Sequence, residues 1–382
     1  MARATGLNQT RLPLREKLWH FNWSLLLLVS LIAAVGFAAL FSAANGDWRP
    51  WATRQMVRYA AGLSILFAVA LIDIRIWLRW AYVIYGGGLA LLVLVEVMGS
   101  VGMGAQRWID LGVFQLQPSE LMKIAMVLAL ARYFHGASLE DTGRILHLFA
   151  PLAMIGLPVA LVLKQPDLGT ALMLAMTGGV MFWLAGVRLW KFMLVAAAAA
   201  AAVPVVWQFL HSYQRQRILT FLNPENDPLG AGYHILQSKI ALGSGGLFGK
   251  GFLEGTQSHL NFLPEKQTDF IFTMLAEEFG LIGGLGLLGL YALLIAYGVA
   301  VALRCQSHFG RLVAMGVTST LFLYVFINVA MVMGLLPVVG VPLPLISYGG
   351  TAMLTVLAGF GFIINVWIHR DVWINRRGGS AA

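Results

Sequence analysis

The chain has 382 residues, 59% of them hydrophobic and only 11% charged, with a mean hydropathy of +0.77. Soluble domains keep roughly a quarter of their residues charged, so a large soluble α-protein is excluded. The net charge of +9 then reads as anchoring charge and contact with anionic lipid rather than affinity for nucleic acid.

At the N-terminus, Arg3, Arg11, Arg15 and Lys17 precede an apolar run that starts at Trp23. This superficially resembles a signal peptide, but the run of about 20 residues exceeds the 7–15 of a signal h-region. It reads as a retained first transmembrane helix. Apolar runs long enough to cross a bilayer, about 17–25 residues, fall at 23–43, 56–72, 80–99, 118–134, 147–163, 168–186, 192–210, 271–303, 312–336 and 350–368. The expected fold is all-α: a polytopic membrane protein of about ten transmembrane helices, forming one domain over 1–382. Residues 211–270 make a long extracytoplasmic loop between helices seven and eight.

Counted over short segments, the side that holds the N-terminus carries more than twice the Lys and Arg of the opposite side. The positive-inside rule therefore places both termini in the cytoplasm and the long loop outside. Most acids able to do chemistry, among them Glu120, Asp167, Glu265, Asp269, Glu277 and Glu278, fall at or near the outer side. The alanine run at 196–202 and the glycines 280, 283, 284 and 286 read as small-residue packing faces.

Candidate chemistry begins at Arg107-Trp108, ahead of Gln117-Pro118-Ser119-Glu120-Leu121-Met122-Lys123. Pro118 suits a first helical turn, and Glu120 and Lys123, three apart, share a helix face. A charge at mid-bilayer costs roughly 2.5–3.5 kcal/mol, so the two point inward. They form either a salt bridge that orients the helix or a wall of a substrate site. Lys164-Gln165-Pro166-Asp167-Leu168-Gly169-Thr170 is either a tight turn with Asp167 near a helix N-terminus or part of the same cavity.

In the long loop, Arg215 and Arg217 set two cations just outside the seventh span, and Lys239 follows. The glycine-dense 243–251 could cradle phosphate through backbone amides or be a flexible loop. It lacks the ending of a P-loop, so nothing indicates ATP use. No histidines have metal-ligand spacing, no Gly-x-Ser-x-Gly elbow is present, and the single cysteine, Cys305, excludes a disulfide and multi-cysteine metal sites. No cofactor is identifiable. Asp269, where polar loop meets apolar helix, is either a helix N-cap or a catalytic acid–base group.

Pro264-Glu265-Lys266-Gln267-Thr268-Asp269-Phe270 resembles the shape, elongation, division and sporulation family of bacterial membrane proteins. So do Gln117-Pro118-Ser119-Glu120 with Lys123, Gln165-Pro166-Asp167-Leu168-Gly169-Thr170, and Asp227-Pro228-Leu229-Gly230-Ala231-Gly232-Tyr233. Pro342-Leu343-Pro344-Leu345-Ile346-Ser347-Tyr348-Gly349-Gly350-Thr351 completes a co-linear set over nearly the whole chain. Ser238-Lys239-Ile240-Ala241-Leu242-Gly243 and Gly255-Thr256-Gln257-Ser258 are similar to the elongation members rather than the division members.

The resemblance implies a peptidoglycan glycosyltransferase that polymerises lipid II on the outer face of the bacterial cytoplasmic membrane, for elongation and rod shape. It implies a class B penicillin-binding protein as partner and divalent-cation (Mg or Mn) dependence. Asp269 takes the place of the family's essential acid. Arg107, Glu120, Lys123, Lys164, Asp167, Arg215, Arg217, Lys239, Glu265 and Ser347 are the candidate substrate-binding residues, with Arg217 and Lys239 preferred for the pyrophosphate. Many members have His before Thr-Asp; this chain has Gln267, so an imidazole there is not an obligatory proton carrier. Two other functions compete, a lipid II flippase and a scaffold without chemistry. No repeat symmetry of the kind transporters carry is visible, and a scaffold gives no reason for acids and cations to gather on one side.

Overall fold

The computed structural model describes residues 13–102, 105–110, 112, 115–209, 215, 219–221, 223, 231–260, 262 and 265–375. A short α1 (Leu14–Trp19) precedes ten long helices. These are α2 (Trp23–Ala43), α3 (Ala52–Leu71), α4 (Ile74–Met98), α5 (Pro118–Gly136), α7 (Ile145–Lys164), α8 (Leu168–Leu184), α9 (Leu189–Phe209), α12 (Ile271–Arg304), α13 (His308–Val332) and α14 (Gly350–Ile368). Each matches one expected span. Six of them, α2, α4, α7, α12, α13 and α14, are long and apolar enough by themselves to cross a membrane. Short helices α6 (Leu139–Gly143), α10 (Ala231–Ser244) and α11 (Thr256–His259) complete the set. The sequence did not signal one addition, a small antiparallel sheet between α4 and α5: β1 (Ser100–Gly102), β2 (Ala105–Asp110) and β3 (Gln115–Leu116).

Helix starts carry side-chain caps where the chain offers Asn, Asp or Ser. Asn22 accepts from the amide of Leu25, Asp73 from Arg75, Asp167 from Thr170 and Ser307 from Gly310. Pro118 opens α5, where its missing N–H costs nothing. α5, α13 and α14 are the most buried of the long helices, and α5 and α13 pack on each other and on α8. α14 lies along α3, and α12 packs on α13 and α2. The α3–α14 pair is tied at both ends. Gln55 Nε2 donates to Ser347 O (2.9 Å), and the Asn365 amide caps the other end of α3 at the carbonyls of Val69 (3.1 Å) and Ala70 (2.9 Å).

The long interval between α9 and α12 differs from the expectation of a plain polar loop, since its described part contains α10 and α11. Its glycine-dense segment is neither a phosphate cradle nor a flexible loop. α12 breaks at Gly280 (φ 67°, ψ −164°), and the backbone of the glycine segment fills the break. Lys250 N donates to Glu277 O (3.1 Å) and Gly251 N to Glu278 O (3.0 Å); Leu281 N and Ile282 N donate to Gly246 O and Leu247 O (2.9 and 3.2 Å). Irregular backbone at membrane depth needs such partners. Gly280 is thus a break point, not the packing contact its spacing suggested.

Candidate active site

The turn Glu265 to Phe270 is a polar island held by its own side chains. Glu265 has a positive φ (57°), unusual for a residue with a Cβ. Its carbonyl accepts from Thr268 N (3.1 Å), and its carboxylate accepts from Thr268 Oγ1 (2.9 Å) and Gln267 Nε2 (3.4 Å). Three successive carbonyls of this turn take donors from elsewhere in the chain. Tyr348 N donates to Gln267 O (2.8 Å), Ser347 Oγ to Thr268 O (2.6 Å) and Asn328 Nδ2 to Asp269 O (3.0 Å). Asn328 Nδ2 also donates to Val341 O (2.8 Å), and Ser347 Oγ accepts from Leu343 N (2.7 Å). One bonded unit therefore joins 265–270, the 341–348 segment and α13.

The backbone of Asp269 is thereby fixed while its carboxylate is half-buried at the head of α12. The N-cap reading fails: α12 starts at Ile271, its N-cap is Phe270, and no side chain caps it. Asp269 Oδ2 faces Gly340, where a Cβ would stand 3.4 Å away. Within the same turn, buried Lys266 has its pKa pushed below the usual lysine range by desolvation.

A second group lies across the start of α14. Asp167 caps α8, takes Thr170 Oγ1 (2.9 Å) and Gln117 Nε2 (3.5 Å), and pairs with Arg107 Nε at 3.8 Å. Arg107 also donates to the carbonyls of Gln165 (3.2 Å) and Pro166. Thr351, in the first turn of α14, accepts from Gln117 N (3.1 Å) and donates to Gln115 O (3.0 Å), which links this group to the 347–349 turn.

The other expected residues separate. Glu120 and Lys123 form the inward pair anticipated, at 2.6 Å, but Tyr324 closes it by hydrogen-bonding both, its hydroxyl 2.5 Å from Glu120 Oε2. Both charges are almost fully buried, so this is an internal brace between α5 and α13 rather than an open wall. Lys164 pairs with Glu96 (3.4 Å) and is largely exposed. Arg215 donates to Gln208 O (2.7 Å). Lys239 is exposed and lies across Gly334, where a Cβ would meet its Cε at 2.3 Å. Arg217 lies outside the described residues. Asp269, Glu265 and Ser347 are therefore brought together, with Arg107 and Asp167 adjoining.

Sequence reading passed over Asn328 and Arg58. Asn328 is fully buried one turn beyond Tyr324 on α13, and the i, i+4 spacing of two polar residues in an apolar span was the available signal. Arg58, one turn beyond Gln55, stacks on the Tyr348 ring at 4.4 Å, and its Nη1 is buried with no hydrogen-bond partner among the described residues. An arginine inside a membrane-length helix is itself a functional signal. Among the described residues, no three His, Cys, Asp or Glu converge as a metal site.

A carboxylate on a braced turn within a bundle of long apolar helices defines a polytopic membrane enzyme. The family profile described as cell cycle protein (FtsW, RodA, SpoVE) matches residues 17–371, and the chain belongs to that family. It is 52% identical over 286 residues to the peptidoglycan glycosyltransferase MrdB of Escherichia coli K12, covering 73% of this chain and 75% of MrdB. The RodA glycosyltransferase of Treponema pallidum is 34% identical over 347 residues (72% and 79% covered). Among solved structures, a chain of a peptidoglycan synthase complex that coordinates polymerization and crosslinking aligns with a TM-score of 0.79 at 36% identity, covering 92% of this chain and 98% of that one. Thermus thermophilus RodA aligns at 0.70 and 33%, covering 92% and 97%.

Proposed function

We propose that Asp269 is the general base of glycan polymerisation on the outer face of the bacterial inner membrane, with both termini cytoplasmic. The protein is a peptidoglycan glycosyltransferase, a lipid II polymerase of the elongation type. The observation that carries the assignment is the fixed turn at 267–269, which holds an uncapped, half-exposed carboxylate. The 4-hydroxyl of one lipid-linked disaccharide attacks the anomeric carbon of another. The new glycosidic C–O bond forms as the bond to the lipid pyrophosphate breaks, and the hydroxyl proton passes to Asp269, for ~10²–10⁴ in rate. Among the described residues, Arg107 and Arg58 are proposed to offset charge on the departing pyrophosphate.

A magnesium-type ion is commonly held by one or two carboxylates plus substrate phosphates. Asp269, half-buried at the head of α12, would hold such an ion. When bound, such an ion would neutralise pyrophosphate charge. The cross-linking partner is a class B penicillin-binding protein.

The test is polymerisation of labelled lipid II by purified protein with its partner, wild type against Asp269→Asn. Loss of glycan strands with folding and partner binding retained is expected. Strands made at near wild-type rate by the variant would refute the base assignment. Movement of lipid II between leaflets without polymer would favour the flippase.

A further inference from the structure

The helix segment that carries Asp269 is mechanically separate from the span below it. With Gly280 at φ 67° and ψ −164°, residues 271–279 form a rod about 13 Å long. The segment 281–304 cannot pass its position to that rod through helical hydrogen bonds. The rod is held instead from the side: Thr273 Oγ1 lies 2.8 Å from Ser238 Oγ on α10, and Ser42 of α2 donates to the Glu278 carboxylate. At its head the turn is braced by Tyr348, Ser347 and Asn328, and near its foot a further hold is the glycine segment.

Its fit is backbone against backbone. A Cβ at Gly249 would stand 2.0 Å from Glu278 O, and one at Gly245 would stand 2.3 Å from Ala276 O. One ion pair clamps this joint. Glu277, fully buried, accepts on Oε1 from Lys250 Nζ (2.7 Å), Gln257 N (2.9 Å) and Thr256 Oγ1 (3.2 Å). The Lys250 side chain is 25% exposed, so the clamp reaches the surface.

We propose that Lys250 is a positioning residue. Through Glu277 it locks the glycine segment into the break of α12 and so sets where the rod presents Asp269. This rests on the reading of Asp269 as the base. Ile271, at the head of the rod and two residues from Asp269, lies nine residues from Gly280, about 14 Å along the rod, so a rotation of about 4° at the break moves that head by about 1 Å. A misplacement of that size costs on the order of 100-fold in rate. Lys250 touches no reacting atom; its effect runs through the rod.

The experiment measures kcat and KM for labelled lipid II with the full-length enzyme and its partner, alongside thermal midpoints. Lys250→Met is expected to lower kcat by about 30–100-fold with KM changed less than about threefold, and Lys250→Arg to restore kcat to within about threefold. A Lys250→Cys preparation, assayed before and after aminoethylation, repeats the comparison on one folded sample, since the other cysteine, Cys305, is buried. Recovery on aminoethylation supports the clamp. Near wild-type kcat in Lys250→Met, or no recovery in either rescue, overturns it. Asp269→Asn in the same assay separates the two claims: if it polymerises, the base assignment fails irrespective of how Lys250 behaves.

Discussion

Replacing Asn328 by leucine removes a side-chain tie between the Asp269 backbone and α13, at nearly constant volume. Two carbonyls, those of Asp269 and Val341, lose their donor. A buried polar group left without its partner costs about 1–3 kcal/mol. The substitution also removes Asn328 Oδ1, itself buried without a partner among the described residues, which offsets one of the two losses. The net cost to stability is then about 1–3 kcal/mol, near the lower end because polar contacts between membrane helices average ~0.6 kcal/mol.

The kinetic effect should exceed this. Freed from Asn328, the Asp269 peptide leans on its neighbours' bonds to Tyr348 and Ser347. A 1 Å shift of the base costs ~100-fold, about 2.7 kcal/mol of barrier at 1.36 kcal/mol per decade. The assay is strand synthesis from labelled lipid II with partner present, paired with a thermal melt of the same sample. A kcat drop of ten- to a hundredfold in protein that still melts cooperatively is expected. If kcat stays within about threefold of wild type, the reasoning that Asn328 positions Asp269 is refuted.

Two further outcomes follow from the geometry. Gly280→Ala must place a Cβ 2.3 Å from Gly249 N in a backbone region essentially reserved for glycine, a strain of at least about 1–3 kcal/mol. It should lower the thermal midpoint by several degrees, whereas Gly286→Ala, with open space at its Cβ, should leave the midpoint unchanged or raise it. Lys266 has its folded-state pKa lowered by burial, so below that lowered value its burial is a constant penalty. Between that lowered value and the unfolded value of ~10.4 the unfolded chain binds more protons, and stability contributed by this group rises with pH. Lys266→Met should flatten that alkaline rise in melts from pH 8 to 10.5; an unchanged slope would show that another group carries it.

The ten helices were legible because a bilayer-length apolar run has few alternatives. Asp269 was legible from its position and from the motifs around it. The brace that makes it usable was not, because Asn328, Ser347 and Tyr348 lie some 60–80 residues further along and no local pattern points back to 267–269. Glu120 and Lys123 could be paired from their spacing, yet Tyr324, which closes the pair, is two hundred residues away. The glycine run was ambiguous for the same reason. Its amides look free in one dimension and find their carbonyls only once α12 breaks at Gly280. That break was itself disguised by glycines whose spacing suits helix packing.

The order of the braces along the chain has a consequence for biosynthesis. Asp269 and its rod leave the ribosome before α13, the 341–348 segment and α14, all of which follow it in sequence. The nascent chain therefore carries Asp269 through insertion of α12 without the donors of α13 and the 341–348 segment that hold its turn in register. On the proposal that Asp269 is the base, strand synthesis waits for those later segments, so the fold itself delays catalysis until they are in place.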